Sequence, residues 1–141
     1  MALNLVSPDD FAALLNLMGK YQHLVDSGDE EGWADLFTPD GAFIGVPDGS
    51  GGTYDLVGRE ELKRMPTTVM DMSGGTFRHN LCSYSAEYGA NRDEAFARYY
   101  VIATSNLPGA GTTVTLQVDV HSHLLRIDGV WKLKSNTMKV V

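Results

Sequence analysis

The sequence has little cysteine and little positive charge, and each shortage excludes a class of protein. Cys82 is the only cysteine among 141 residues, which excludes an internal disulfide and a thiolate metal cage. Lys and Arg number 11 against 18 Asp and Glu, for a formal net charge of -7, and no basic cluster interrupts that balance. An acidic surface repels phosphate backbones and anionic lipid. We therefore expect neither nucleic acid nor a membrane among the partners.

Long apolar runs are missing as well. The N-terminal residues 1–6 have a short apolar stretch and no basic flank, which predicts neither a signal peptide nor the start of a membrane-spanning helix. We therefore expect a cytoplasmic protein. With 43% hydrophobic residues and no linker or repeat, the chain predicts a single domain over residues 1–141, large enough for a core and an internal pocket.

What the sequence does contain is a change of periodicity near Thr76, from helical to strand-like. Ser7 is a favourable N-cap before Pro8, and apolar residues at helical spacing predict an amphipathic helix that ends at residues 26–28. Before residue 76 the pattern further predicts a short helix opening at 29–31, a turn at 38–41, a strand at 42–46, a loop at 47–52, a short helix at 58–65 and a mobile loop at 66–75. Strands are then predicted at 76–88, 94–106, 112–127 and 130–141.

Helices followed by long strands predict the α+β class rather than alternating βαβ units. Strands of this length must curve, so we expect a cone-shaped α+β barrel, with the N-terminal helices packed in a strongly curved, mostly antiparallel sheet. In residues 112–124 the apolar side chains Val114, Leu116, Val118 and Val120 alternate with polar ones and should point into the cone. The convex face is rich in Thr and His rather than Lys, which favours a homodimer, or a higher homo-oligomer, through that face.

Three possible metal ligands lie on the same convex face. Asp119, His121 and His123 are spaced so that their side chains share one side of a strand, and carboxylate with imidazole suits zinc or iron. Because this face lies outside the cone, we interpret them as a polar surface or dimer contact and expect no metal. The glycine-rich residues 49–52 lack the spacing and the lysine of a phosphate-binding loop, which predicts a flexible tip.

Tyr21, Asp26 and His79 form the group with the clearest catalytic potential. Tyr21 and Asp26 lie about 140° apart on an ideal helix, so they approach one face only where the helix ends. A carboxylate there, opposite a histidine on the first long strand, would orient the imidazole as a general base near neutral pH. Tyr21 would then hydrogen-bond a substrate carbonyl or act as an acid. The alternative is structural, with the tyrosine capping the core, the aspartate ending the helix and the histidine satisfied in its strand.

Several stretches together resemble a known family. They are Leu17-Met18-Gly19-Lys20-Tyr21, Asp26-Ser27-Gly28-Asp29, Gly32 to Phe43, Gly58-Arg59-Glu60-Glu61-Leu62, Arg78-His79-Asn80 and Asp128 to Leu133. In this order they resemble the SnoaL-like branch of the nuclear-transport-factor-2-like superfamily over nearly the whole chain. The resemblance is specific for fold and weak for reaction, because this fold hosts dehydratases, dehydrochlorinases, isomerases, polyketide cyclases, epoxide hydrolases and non-catalytic subunits.

The resemblance implies a site. Asp26 and His79 match the Asp-His dyad with which scytalone-dehydratase-like, bile-acid-dehydratase-like and dehydrochlorinase-like enzymes remove a proton, and Tyr21 matches the helix tyrosine of the dehydratases. A cofactor-free pocket for a small hydrophobic molecule follows. By strand parity from His79 and by analogy, the expected lining is Trp33, Phe37, Phe43, Met65, Phe77, Leu81, Tyr100, Ile102, Val118 and Val120.

The sequence also departs from the family. The second His or Asp that some members carry on the following strand has no counterpart among Tyr100, Ile102 and Thr104. Asn136 stands where others have a C-terminal arginine, and the resemblance implies that it too contacts the substrate. We therefore expect a lyase of the dehydratase type or an isomerase acting on an uncharged molecule. Two alternatives stay open: a polyketide-cyclase-type aldol cyclase and a non-catalytic small-molecule-binding protein.

Overall fold

The structure is a computed structural model that describes residues 4–141. The expectations for residues 1–3, in the N-terminal stretch, lie outside the described residues. The helices are α1 (Pro8–Ser27), α2 (Glu30–Ala34), α3 (Arg59–Leu62) and α4 (Arg64–Ser73). The strands are β1 (Phe37–Pro47), β2 (Thr53–Val57), β3 (Phe77–Tyr88), β4 (Glu94–Leu107), β5 (Gly111–Ile127) and β6 (Val130–Val140).

One six-stranded sheet, in the order β2-β1-β6-β5-β4-β3, carries the fold. Every neighbouring pair is antiparallel except β1 and β6, which are parallel. The sheet does not close, because β2 and β3 remain its edges. Helix α1 packs most closely against β3 and α4. This arrangement confirms the predicted α+β cone, in which helices fill the concave side of a strongly curved, mostly antiparallel sheet.

Helix α1 begins and ends as its sequence predicts. The Ser7 hydroxyl accepts the Asp10 backbone N–H at 3.2 Å, and Pro8 occupies the first helical turn, where its missing N–H costs nothing. Gly28 ends the helix with a left-handed φ of 76°, which glycine adopts without steric cost. The buried side of α1 consists of Leu14, Met18, Tyr21, Gln22 and Val25. No helix within residues 4–141 is long and apolar enough to cross a membrane.

The prediction of a mobile loop at 66–75 is wrong, because α4 occupies most of it. Pro66 lies in the first turn of the helix, where proline is tolerated. Met65 and Val69 are buried in the core cluster, and Gly74 ends the helix in a left-handed conformation. Burial of one face therefore outweighs the poor helix propensity of the consecutive β-branched residues at 67–69.

The segment predicted as a turn at 38–41 is instead part of β1. The turn-favouring residues of this segment coincide with an irregularity in the strand, because the pairing of β1 with β6 shifts register between Phe37 and Ala42. A second register shift, in the pairing of β1 with β2, surrounds Gly45. The φ of Gly45 is 79°, and its α-carbon lies so close to β6 that an added β-carbon would be 2.5 Å from the Met138 carbonyl oxygen. This bulge allows Phe43 and Val46 both to face the concave side of the sheet.

Candidate active site

A cavity of about 320 Å³ opens on the concave side of the sheet, between α1 and α4. Its wall is formed by Tyr21, Gln22 and Val25 of α1; Met65, Thr68, Val69 and Met72 of α4; Phe43, Val46 and Pro47 of β1; Gly49; Tyr54; Phe77 and His79 of β3; Tyr99, Val101 and Ala103 of β4; Thr115, Leu116, Val118 and Val120 of β5; and Met138. The lining is mostly apolar and includes no Lys, Arg, Asp or Glu. The cavity therefore suits an uncharged hydrophobic molecule.

Asp26 and His79 meet at the wall of this cavity. The Asp26 Oδ1 atom lies 2.5 Å from His79 Nδ1, and Oδ2 accepts the His79 backbone N–H at 3.0 Å. Both side chains are largely buried, with 10% of Asp26 and 19% of His79 exposed. Because Nδ1 faces the carboxylate, Nε2 is the ring nitrogen left for a molecule in the cavity.

The last turn of α1 makes this contact possible. Asp26 lies inside the helix, which continues to Ser27 before Gly28 turns the chain away. His79 reaches the carboxylate from β3, where Phe77, His79 and Leu81 share the inner face of the strand. The end of a long helix and the start of a curved strand therefore bring together two residues that are 53 positions apart in sequence.

Tyr21 lies deeper in the cone than the Asp26–His79 pair. Its ring packs against Trp33, with centroids 5.2 Å apart, and against Phe37 at 6.1 Å. Burial raises the pKa of the Tyr21 hydroxyl well above its ordinary value, and the nearby Asn136 amide offsets part of that rise. The hydroxyl therefore stays protonated near neutral pH, which makes it a hydrogen-bond donor rather than a source of protons.

Tyr99, a second buried tyrosine of the wall, begins a chain of buried polar side chains. Burial raises the pKa of Tyr99 well above its ordinary value, and its hydroxyl lies 3.1 Å from the Ser122 hydroxyl. Ser122 donates in turn to the Asn136 side-chain oxygen. Ser122 and Asn136 are almost fully buried, so this chain is a fixed part of the cone.

The structure places the predicted lining residues in the cavity wall, in or against the core, or on the convex face. Phe43, Met65, Phe77, Val118 and Val120 lie in the cavity wall. Trp33, Phe37 and Asn136 lie outside the wall, in the core, where Trp33 and Phe37 pack on the Tyr21 ring. Leu81 also lies outside it, packed against the core from the inner face of β3.

The placement of Tyr100 and Ile102 in the cavity is wrong. His79 pairs with Ala103 and Leu81 pairs with Val101, and directly paired residues project to the same face of a sheet. Tyr99, Val101 and Ala103 therefore line the cavity, whereas Tyr100, opposite Cys82, lies on the convex face with 38% of its surface exposed. Ile102 shares the convex side with Tyr100.

Sequence reasoning missed Gln22. It is buried on the same side of α1 as Met18 and Val25, and it lines the cavity. A glutamine inside an otherwise apolar helical stripe, four residues before the candidate carboxylate, was the available signal.

The convex face pairs its polar side chains with one another. Arg98 donates to Asp119 at 2.7 Å, His121 lies 3.5 Å from the same carboxylate, and His123 lies 2.9 Å from Glu94. Across residues 4–141 no group of three His, Cys, Asp or Glu side chains is arranged to hold a metal ion. Asp119, His121 and His123 therefore have local ionic partners instead of a shared centre.

Comparisons with known proteins place the fold. The model of the SnoaL-like domain matches residues 8–137. No curated protein matches the sequence. The structure of Aln2 from a Streptomyces species is 22% identical and superposes with a TM-score of 0.83, covering 96% of this chain and 94% of that one. A cystatin-like-fold protein of unknown function from Nostoc punctiforme is 21% identical, with a TM-score of 0.80 and coverage of 97% and 95%.

A third similar structure is described as a candidate scytalone dehydratase from Novosphingobium aromaticivorans. It is 19% identical, with a TM-score of 0.75, and the alignment covers 94% of this chain and 84% of that one. At these identities the superpositions establish a common fold and leave the chemistry to the residues of the cavity.

Proposed function

Because the chain belongs to the SnoaL-like domain family, we propose that it is a cofactor-independent acid–base enzyme, a dehydratase-type lyase or an isomerase, acting on a small hydrophobic carbonyl compound. The observation that carries the proposal is the contact of Asp26 Oδ1 with His79 Nδ1 at 2.5 Å, in the wall of an apolar cavity. A histidine held in this way, with its second nitrogen free, has the arrangement required of a general base.

In the proposed reaction His79 Nε2 takes a proton from the carbon next to the substrate carbonyl. The C–H bond breaks and its electron pair moves to the carbonyl oxygen, where the Tyr21 hydroxyl stabilises the negative charge by donating a hydrogen bond. Asp26 holds the imidazolium that results. In an elimination, a hydroxyl on the next carbon then leaves with the proton from His79 as water; in an isomerisation, His79 returns the proton to a different carbon.

The surroundings support this assignment. A mostly apolar wall, whose own residues include no Lys, Arg, Asp or Glu, strengthens each hydrogen bond to the developing oxyanion. The raised pKa of Tyr21, which burial causes, keeps its hydroxyl in the donating form. General-base catalysis of this kind contributes about 10²- to 10⁴-fold in rate.

Dehydration of 3-hydroxy-1-tetralone, a bicyclic β-hydroxy ketone, is the first reaction to test. The candidate scytalone dehydratase among the similar structures supports the choice of a dehydration. Water loss gives 1-naphthol, whose absorbance follows the rate. We expect turnover by the protein and a loss of about 10²-fold or more in His79→Ala.

The matched control is His121→Ala, because His121 lies on the convex face with 61% of its side chain exposed. This variant should retain the full rate. If the protein binds the ketone and never turns over any β-hydroxy ketone, the cavity belongs to a binding protein; if closure of a poly-β-ketone chain is catalysed instead, the reaction is that of an aldol cyclase. Either result contradicts the proposal.

A further inference from the structure

Gln22, in the wall of the cavity, has a side-chain amide without a hydrogen-bond partner. Four described residues hold buried side-chain polar atoms with no hydrogen-bond partner in the protein, namely Gln22, Trp33, Tyr84 and Asn136. Of these, Gln22 alone lines the cavity, and both its Nε2 and its Oε1 lack a partner. Gln22 as a whole is 6% exposed, so its amide is shielded from bulk water.

An unpaired amide at this position is costly to the fold. A buried polar group without a partner destabilises a protein relative to an apolar side chain of the same shape. Most of the helix side that carries Gln22 is apolar and would accept a leucine or methionine. A partner from outside the folded chain would remove this cost.

Its position relates it to the proposed chemistry. Gln22 and Asp26 are four residues apart on α1, so they lie on the same helix face with β-carbons about 6 Å apart. His79, on β3, contacts Asp26 and lines the same cavity as Gln22. A molecule that contacts His79 can therefore also reach Gln22 along α1.

We propose that Gln22 binds a neutral donor–acceptor group of the substrate, a hydroxyl or a carboxamide, one helical turn from the Asp26–His79 pair. This inference rests on the proposed function for the identity of the site, and it adds a substrate class: an uncharged ketone with a second oxygen or amide group. The primary amide is matched to such a group because it donates through Nε2 and accepts through Oε1. An anionic group is excluded, since no Lys or Arg lines the cavity.

The test compares ligands that differ by one group. Dissociation constants are measured by calorimetry for 1-tetralone, 4-hydroxy-1-tetralone and the 4-carboxamide of 1-tetralone, with the unaltered protein and with Gln22→Met. We expect at least one of the two polar ligands to bind about tenfold more tightly than 1-tetralone. In Gln22→Met that preference should disappear, while the affinity for 1-tetralone should be unchanged or improved.

Gln117→Met is the matched control, because Gln117 is exposed on β5 and outside the cavity wall. It should leave every affinity unchanged. Thermal unfolding supplies a second measurement, since removal of an unpaired amide should raise the Tm of Gln22→Met by about 3 °C. A lower Tm would mean that the amide supports the fold, and it would overturn the inference.

Equal affinities for the three ligands, an unchanged preference in Gln22→Met, or no detectable binding of any of them would also overturn it. The binding comparison needs no turnover, so its outcome is independent of the reaction. If Gln22→Met loses the preference for the polar ligands and no catalysis is found, the role of Gln22 is supported and the proposed function is contradicted. If the protein is catalytic but shows no preference for the polar ligands, the proposed function is supported and the role of Gln22 is contradicted.

Discussion

Asp26 contacts His79 twice, with Oδ1 at 2.5 Å from the ring Nδ1 and Oδ2 at 3.0 Å from the backbone nitrogen of the same residue. One carboxylate therefore fixes both the ring and the strand that carries it. Rotation of the imidazole would break the first contact, whereas the second contact would still hold the strand. This geometry is the one that the proposed oriented base requires.

Replacement of Asp26 by asparagine tests the orienting role. The amide keeps the size of the side chain but loses its charge, so the imidazolium formed during proton transfer is no longer stabilised. We expect the turnover of 3-hydroxy-1-tetralone to fall by about 10²- to 10⁴-fold, with an unchanged circular dichroism spectrum. Asp9→Asn, in the exposed first turn of the same helix, is the control and should keep the full rate.

Replacement of Tyr21 by phenylalanine removes the hydroxyl that we propose as the donor to the developing oxyanion. The expected loss in kcat is about 10²- to 10³-fold, the usual effect of deleting one such donor. An unchanged kcat would assign Tyr21 to the core alone, together with its packing partners Trp33 and Phe37.

The pH–rate profile separates the two roles considered for Tyr21. Burial raises the pKa of its hydroxyl well above the ordinary value of about 10, so the donating form persists throughout the alkaline range. We therefore expect that titration of Tyr21 causes no decline of kcat between pH 8 and about 10. Such a decline, present in the unaltered protein and absent in Tyr21→Phe, would mean that the tyrosine titrates during the reaction.

Much of this site follows from sequence, and the reasons differ from residue to residue. Ser7, Pro8 and Gly28 bound α1 by local chemistry, which a sequence states directly. The proximity of Asp26 and His79 was anticipated from a helix end facing a strand and from a family resemblance. Gln22 is not predictable from sequence, because a single polar residue within an apolar stripe is uninformative until the structure shows that it lacks hydrogen-bond partners.

Strand parity was harder to predict. The inner residues of β4 are set by the pairing of His79 with Ala103, which depends on the length of the β3–β4 connection. A register shift between Cys82 and Ser85, with Ser83 at a φ of 55°, then exchanges the faces of β3 halfway along. No residue pattern in the sequence predicts that bulge. Strand parity without the bulge places Tyr100 and Ile102 on the cavity side of β4, which is the wrong face.

Asp10 ties the start of α1 to the sheet. It bonds Arg126 at 2.6 Å, and it also accepts hydrogen bonds from Tyr88 and Trp131. Partial burial works to raise the pKa of Asp10, but the bonds from Tyr88 and Trp131 and the charge of Arg126 outweigh it and hold that pKa below its ordinary value. The folded state therefore binds this proton less readily than the unfolded state.

This lowered pKa gives the stability a definite dependence on pH. The contribution of Asp10 is fully present above its unfolded pKa, about 3.9, and is lost as the pH falls through the folded value. We expect Asp10→Asn to lower the free energy of unfolding by about 2 kcal/mol at pH 7, measured in urea, and by less at pH 3. An equal loss at both pH values would show that the charge contributes nothing.

The homodimer that the sequence suggests is also testable. We propose that it forms through the convex face, where Phe96 and Tyr100 are 48% and 38% exposed beside His123. Light scattering after size exclusion should give twice the chain mass for the unaltered protein and a monomer for Tyr100→Arg. A monomeric unaltered protein would contradict this interface.

The proposed role of His79 as the base can be tested without a leaving group. With 1-tetralone in D₂O, proton NMR follows the exchange of the hydrogens next to the carbonyl, which reports removal of a proton from carbon. We expect exchange by the protein, its loss in His79→Ala, and its partial recovery when free imidazole is added to that variant. Exchange at the same rate in His79→Ala, or none in the unaltered protein, would contradict the assignment of His79, held by Asp26, as the base.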